Sequence, residues 1–327
     1  MTSADADLHG RARQALAAFG LPDQAPELLK FRENAVFKVR LRSGEMAVLR
    51  LHRPGYHSRA ALQSELLWMD DLRRNGIAVP QPIATDSGDF LVQIAGEESQ
   101  HADLIGWVAG QQIGETGRPF RHSEREIERI YRSVGVAMAE AHNAADRWTI
   151  PAGFTRHAWD KDGLLGEEPL WGRFWDCLVL AAEDRRFLTK LRFDLQERID
   201  ALGALDYGLI HADLVRENVL VDGDNVALID FDDCGYGYRL FDIATALLRN
   251  RHEPHYDMLR SALVEGYRER RPLGDGALNN LPLFLLLRSV TYVGWAAARL
   301  DLPDASNRLS RYVRDVRELA AALRSDI

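Results

Sequence analysis

The chain has 327 residues, 46% of them hydrophobic, with 49 acidic side chains against 41 basic ones and a formal charge of −8. A chain of this size buries a large core and favours two lobes, and its negative charge argues against general binding to nucleic acid or to anionic lipid. Its two cysteines, Cys177 and Cys234, have neither CxxC nor zinc-like spacing, so no disulfide framework is expected and a reducing cytosol fits.

The first twenty residues carry early acids and no continuous apolar core, unlike a secretory signal. Residues 8–19 read as an amphipathic helix. Residues 34–51 alternate as a β-hairpin around Ser43-Gly44, and residues 59–75 place Leu62, Leu66, Met69 and Leu72 at helical spacing. "VPQPIAT" is an extended connector, because each proline pushes its predecessor out of helical geometry. Two strand-like pieces follow, "DFLVQIAG" and "ADLIGWVAG". From Ser123 the period becomes helical, with helices expected at 124–143, 176–203, 242–250, 255–270, 278–300 and 305–324. Residues 147–176 interrupt them with an irregular, tryptophan-rich stretch. The most apolar segment, "LPLFLLLRSVTYVGWAAARL", is broken by Arg288 and reads as a buried helix, not a membrane span.

Residues 209–237, "LIHADLVRENVLVDGDNVALIDFDDCGYG", press six aspartates between apolar runs. "YGLIH" reads as one strand, and "NVLV", "DGDN" and "VALID" as a tight hairpin whose turn takes Asp222-Gly223-Asp224-Asn225. With Val221 facing Val226, Asn218 falls opposite Ile229 and Asp230 lies diagonally across, about 5–8 Å away. An amide oxygen and a carboxylate so placed suit a hard cation such as Mg²⁺, and Asp213 sits on the loop entering the hairpin.

The spacing His211-Ala212-Asp213-Leu214 with Asn218, followed by Ile229-Asp230-Phe231, matches the HxDLxxxN and DFG pattern of phosphoryl-transfer enzymes. There one Asp orients the attacking hydroxyl, while an Asn and a second Asp hold magnesium against the phosphates. Turn chemistry explains any one of these residues but not their joint spacing.

At these residues, and at "ENAVFKV", "AVLRLHRPG", "SELLWMDDL", "VPQPI" and "RLFDIATALL", the chain resembles the aminoglycoside phosphotransferase and choline kinase-like family. It is nearest in motif to the type II homoserine kinase and bacterial stress-response kinase branches. The resemblance covers about Phe31 to Leu300. It implies a two-lobed, protein-kinase-like α+β fold: a small antiparallel β lobe with one helix over residues 1–105, and a larger, mostly helical lobe over 106–327. It further implies that Asp213 is the catalytic base, Asn218 and Asp230 are metal ligands, Arg50 is the phosphate-binding cation and Glu65 its partner. The hinge at Gly106–Val108, with Gly106 and Val108 at its ends, would read adenine through backbone groups. ATP and Mg²⁺ are the expected cofactors.

Several positions depart from the family pattern. Arg50 stands in place of Lys, Ala212 in place of Gly, and Asp232 where a protein kinase has Gly, so that Asp232 could supplement or replace Asp230. The phosphate-covering hairpin holds only Phe31-Arg32-Glu33-Asn34-Ala35 and no GxGxxG. Residues 30–59 nonetheless hold eight Lys/Arg against two Glu, a local field suited to phosphates. His211 is expected to orient its loop, and Asp242 to N-cap the helix at 242–250 and brace the catalytic loop. Asp233 is either a substrate acid or a cap. Trp171, in the aromatic stretch, is either substrate wall or packing. The favoured activity is transfer of the γ-phosphate of ATP to the hydroxyl of a small, amine-bearing metabolite, of homoserine, hydroxy-amino-acid or amino-alcohol type. The alternatives are a stress-response-type protein Ser/Thr kinase and a nucleotide-binding pseudokinase.

Overall fold

The computed structural model of the chain describes residues 3–31, 34–95, 100–301 and 304–325; Arg32 and Glu33 of the expected phosphate-covering hairpin lie outside them. The chain divides into two compact units. Met1–Gln111, Arg147–Arg156 and Ala227–Asp232 form the first, and Gln112–Asp146, His157–Val226 and Asp233–Ile327 the second.

In the first unit, helix α1 (Ser3–Ala18) is followed by strands β1 (Glu27–Phe31), β2 (Ala35–Arg40) and β3 (Met46–Leu51). Helix α2 (Arg59–Arg74) then leads to β4 (Pro82–Ile83), β5 (Leu91–Ile94) and β6 (Gln100–Gly106). The strands make one antiparallel sheet in the order β1-β2-β3-β6, with β4 and β5 both on the far edge of β6. Alternation decides its faces. Phe37 pairs with Leu49 and Ala35 with Leu51, and these side chains bury in one cluster with Ala12 and Leu16 of α1 and with Phe19 just beyond it. Intervening residues point the other way, so Arg50 and Asp103, paired directly between β3 and β6, share the opposite face. Helix α2 starts at Ser58, whose hydroxyl accepts from Ala61 N at 3.2 Å, and it buries Leu62, Leu66, Trp68, Met69 and Leu72 as their spacing predicts. Strand β1 was not expected; its largely exposed residues show no alternation, which hides an edge strand.

The second unit begins with β7 (Gln111–Gln112), which opens in the first, and runs through α3 (Glu124–Arg147), β8 (Ala158–Trp159), α4 (Lys161–Leu165) and α5 (Ala182–Ala201). Next come β9 (Tyr207–Ile210), the hairpin β10 (Val219–Asp222) and β11 (Asn225–Leu228), and β12 (Gly235–Tyr238). Helices α6 (Arg239–Leu248), α7 (Tyr256–Arg268), α8 (Asp275–Leu278), α9 (Leu281–Ala297) and α10 (Ala305–Ser325) complete it. Every residue of α6 is buried, and α9 buries Leu283, Phe284, Leu286, Leu287, Val290 and Val293. Among the described residues no helix is long and apolar enough to cross a membrane.

Several boundaries differ from expectation: α1 starts earlier, at Ser3, and α3 runs on to Arg147. Helix α5 starts at Ala182, because Cys177–Leu180 closes as a turn with Leu180 N donating to Cys177 O at 3.1 Å. The helix expected over 278–300 is α9, which starts only at Leu281, after the short α8, with a proline in its first turn, where its missing N–H costs nothing. Helix α6 begins at Arg239 behind Tyr238, so Asp242 lies inside the first turn and is not its N-cap. The unforeseen strand β12 joins β9 antiparallel and β8 parallel.

Helices α3 and α7 cross where neither has a side chain. A Cβ built on Gly135 would stand 2.1 Å from Leu263 O and 2.7 Å from Tyr267 N, and one on Gly266 only 1.9 Å from Arg132 O. These are backbone atoms that no rotamer change relieves. Gly135→Ala is therefore expected to destabilise the protein by about 1–3 kcal/mol, read as a lower urea midpoint at unchanged slope.

Candidate active site

The first unit supplies a buried charge cluster. Arg50 is 6% exposed, and its fork donates to Asp103 through Nε (2.8 Å to Oδ1) and Nη2 (2.7 Å to Oδ2), while Nη1 donates to Glu65 Oε1 at 2.8 Å. The expected Arg50–Glu65 pair is present, and Asp103 adds a stronger, bidentate partner. His52 Nε2 lies 2.6 Å from Asp103 Oδ2. Burial alone would raise the Asp103 carboxyl, but Arg50 and His52 bring it down to about 2. Three of the five N–H groups of Arg50 are thus engaged by acids, leaving two for any other partner.

Asp230 and Asp232 belong to the same unit and are fixed by the residue between them. Phe231 is 1% exposed and meets Trp68 of α2 edge-on at 5.5 Å. Asp230 takes a left-handed backbone, φ 67°, and Leu228 N donates to Ala78 O at 2.9 Å just before it. Although its carboxylate reaches solvent, the protein mass around Asp230 and the neighbouring charge of Asp232 raise its pKa against the pull of Lys30 and Arg50. Asp232 goes the other way. Burial would raise it, yet His57, 3.6 Å away, with His52 and Arg50 beyond, holds it well below the usual carboxylate range. Asn34 Nδ2 also approaches Asp232 Oδ1 at 3.5 Å.

The hinge follows β6. Gly106 N donates to Gln81 O at 2.8 Å and Trp107 N to Met46 O at 3.1 Å, whereas Val108 N makes no backbone hydrogen bond among the described residues.

The second unit holds the loop expected to be catalytic. Ala212 has φ 64°, a strained conformation for a residue with a Cβ, and it is held by Asp242. Asp242 is 1% exposed; its Oδ2 accepts from His211 N at 2.9 Å and its Oδ1 from Ala212 N at 2.6 Å. The same carboxylate lies 3.0 Å from His142 Nε2, whose Nδ1 is 2.8 Å from the Tyr267 hydroxyl. His211 is buried and its Nδ1 accepts from Asp213 N at 3.3 Å, a positioning contact. The Asp213 carboxylate is fixed at both oxygens: Asn218 Nδ2 donates to Oδ2 at 2.9 Å and Arg288 Nη2 to Oδ1 at 2.7 Å. Asn218 Nδ2 also donates to Asp213 O at 2.9 Å, so both contacts use the amide nitrogen and not the amide oxygen.

Arg288 is fully buried among aromatic faces, with its guanidinium carbon 4.4 Å from the Trp171 ring centre and 4.7 Å from that of Tyr292. Trp171 Nε1 donates to Asp233 Oδ1 at 3.2 Å. The main-chain carbonyl of Asp233 accepts from Trp159 Nε1 at 2.8 Å, and β12 separates it from α6, so Asp233 caps no helix.

A buried charge set in one unit and a loop with a doubly fixed aspartate in the other are the parts of a phosphotransferase. The sequence model of the phosphotransferase enzyme family matches residues 26–275. The chain belongs to that family. It is 29% identical over 224 residues to a homoserine kinase of Agrobacterium fabrum, an alignment spanning 66% of this chain and 62% of that one, just under two thirds of the relative's length. It is also 30% identical to a microcompartment-associated aminopropanol kinase of known structure, with a TM-score of 0.82 over 96% of this chain and 97% of the other. Amicoumacin kinase hAmiN, solved with AMP-PNP, Ca²⁺ and amicoumacin, shares the fold at 20% identity and a TM-score of 0.73, over 90% of this chain and 88% of that one. The protein is a phosphotransferase of protein-kinase-like fold, with an antiparallel sheet unit and a mostly helical one.

Within this phosphotransferase, Asp103, His52, His142 and Arg288 were not singled out from sequence as site residues. The signal for Arg288 was visible, because a charge inside "LPLFLLLRSVTYVGW" requires a buried partner. Asp103 sits likewise between apolar neighbours in "ADLIG".

Asp103→Asn leaves Arg50 buried beside a single carboxylate, so a stability loss of about 3–5 kcal/mol is expected in urea unfolding. His142 is held neutral: burial, then the Arg239 charge, lower its pKa from 6.5 to about 4. The unfolded chain takes up this proton first, so stability present above pH 6.5 is lost as pH falls toward 4. Thermal midpoints across that window should fall less steeply in His142→Gln than in the wild type.

Proposed function

We propose that the protein transfers the γ-phosphate of ATP to the hydroxyl of a small, amine-bearing metabolite. The observation that carries this is the Asp213 carboxylate, held at one oxygen by Asn218 and at the other by Arg288. A carboxylate so fixed cannot swing. It presents its remaining lone pairs to an incoming hydroxyl and accepts that proton's hydrogen bond, which is the orientation a loose phosphoryl transition state requires.

The oxygen donors available fit a hard divalent cation. Asn218 commits its Nδ2 to Asp213 and keeps its amide oxygen for a further partner, and Asp230 is an acid whose pKa is raised first by burial and then by the neighbouring charge of Asp232, a charge that a cation would offset. Each would provide a ligand to Mg²⁺, and Asp232 is held ionised close to Asp230. When bound, magnesium neutralises the phosphate oxygens. The two N–H groups of Arg50 not taken by acids would face the nucleotide phosphates, with Glu65 and Asp103 holding the guanidinium rigid. The uncommitted N–H of Val108, beyond the engaged Gly106, would read adenine.

For the acceptor, Asp233 offers a carboxylate with one oxygen anchored by Trp171, and aromatic walls beside an acid suit an ammonium group. The relatives named above are called homoserine, aminopropanol and amicoumacin kinases, which favours a small-molecule acceptor. No observation favours a protein acceptor or a pseudokinase.

The test is ATP consumption with Mg²⁺ over homoserine, hydroxylysine, aminopropanol, ethanolamine, choline and a generic protein. Turnover on a small hydroxylated amine is expected, falling by at least about a hundred-fold in Asp213→Asn. Phosphate appearing only on protein, or turnover untouched by the substitution, would sink the proposal.

A further inference from the structure

Four arginines of the second unit are buried: Arg192, Arg216, Arg239 and Arg288. Each holds a carboxylate within 2.8 Å, respectively Glu167, Glu253, Asp146 and Asp213. Arg249 breaks the pattern. Half-buried at the C-terminal end of α6, it forms no ion pair among the described residues. Its guanidinium carbon stands 4.9 Å from the ring centre of Tyr292 and 5.5 Å from that of Tyr312, and Nη1 donates to the Tyr312 hydroxyl at 3.0 Å.

Tyr292 is also the ring against which Arg288 packs, at 4.7 Å, and its hydroxyl accepts from Arg288 Nη2 at 3.2 Å. One ring therefore carries two guanidinium groups. Arg288 is engaged by Asp213; Arg249 is engaged by no acid among the described residues. The carboxylate of the catalytic loop whose charge Arg249 feels, Glu217, already accepts from Thr116 N at 2.7 Å and Thr116 Oγ1 at 3.0 Å. Arg249 is thus a partly buried cation a single aromatic ring away from the arginine that fixes Asp213, and its planar fork matches the two oxygens of a carboxylate.

Resting on the kinase reading above, we propose that Arg249 receives a carboxylate of the acceptor, so that the substrate is a hydroxy amino acid and not an amino alcohol. Asp233 and Arg249 would then take opposite charges of one zwitterion. Tyr292 sets the spacing between the anion site and Asp213.

The experiment uses pairs of probes that differ only by the carboxylate: homoserine against 3-aminopropan-1-ol, threonine against 1-aminopropan-2-ol, and serine against ethanolamine. Binding to the full chain with AMP-PNP and Mg²⁺ is measured by calorimetry for the wild type, Arg249→Met and Arg249→Lys, with ATP turnover in parallel. At least one acid should bind about ten- to a hundred-fold more tightly than its amino alcohol, the worth of a charge-assisted fork. That ratio should collapse toward one in Arg249→Met and recover in part in Arg249→Lys, at matching thermal midpoints. An amino alcohol that binds as well as its acid, a ratio unmoved by Arg249→Met, or no binding of any acid would overturn the proposal. Acid binding lost in Arg249→Met but without turnover of any probe would keep the carboxylate site at Arg249 while counting against the kinase reading. Turnover of amino alcohols alone would do the reverse.

Discussion

The catalytic loop depends on one carboxylate. Asp242 accepts the successive backbone N–H groups of His211 and Ala212, and that double acceptance holds Ala212 in a left-handed conformation that its own Cβ disfavours. The turn aims Asp213 toward Asn218 and Arg288, and His142 and Tyr267 tie the same acid to α3 and α7. Because α6 is buried along its whole length, Asp242 has no freedom to yield, and the strain at Ala212 persists. Of the two roles expected for Asp242, it takes the brace of this loop and not the cap of its helix.

The local parts of this arrangement were legible. The hairpin at 219–228, the alternation of β2 and β3, the helix α2 and the spacing of Asp213, Asn218 and Asp230 all follow from short-range patterns that need no knowledge of partners. What stayed hidden depends on long-range register. Asp103 matters because β6 lies against β3 so that it meets Arg50, a pairing 53 residues apart. Arg288 matters because α9 carries it to Asp213, 75 residues away. Both showed as charges inside apolar runs, which announces a buried partner without naming it. Strand β12 was hidden differently, since its Gly-Tyr repeat reads as turn chemistry until β9 is placed beside it.

Arginine is used here in two contrasting ways. Arg50 lies between two acids, and its excess negative neighbours make the position one where a lysine, with its single point charge, would leave one oxygen of Asp103 without its donor. Arg288 lies among ring faces with one ion-pair partner, so aromatic quadrupoles add to what Asp213 offers its desolvated charge. The first fixes a sheet to a helix. The second fixes the side chain proposed as the catalytic base.

The route of the chain also constrains how such a protein can be taken apart. Its first unit is assembled from three stretches, and the last two supply Arg156, which donates to Ala61 O at 3.1 Å beside Glu65, and Phe231, which backs Trp68. A fragment ending at Gln111 would retain Arg50 and its acids but lose both buttresses and Asp230. The two units therefore cannot be inherited, shuffled or expressed as separate modules by any single break in the gene. Recombination that alters acceptor choice has to act by exchanging side chains and short loops within an intact chain.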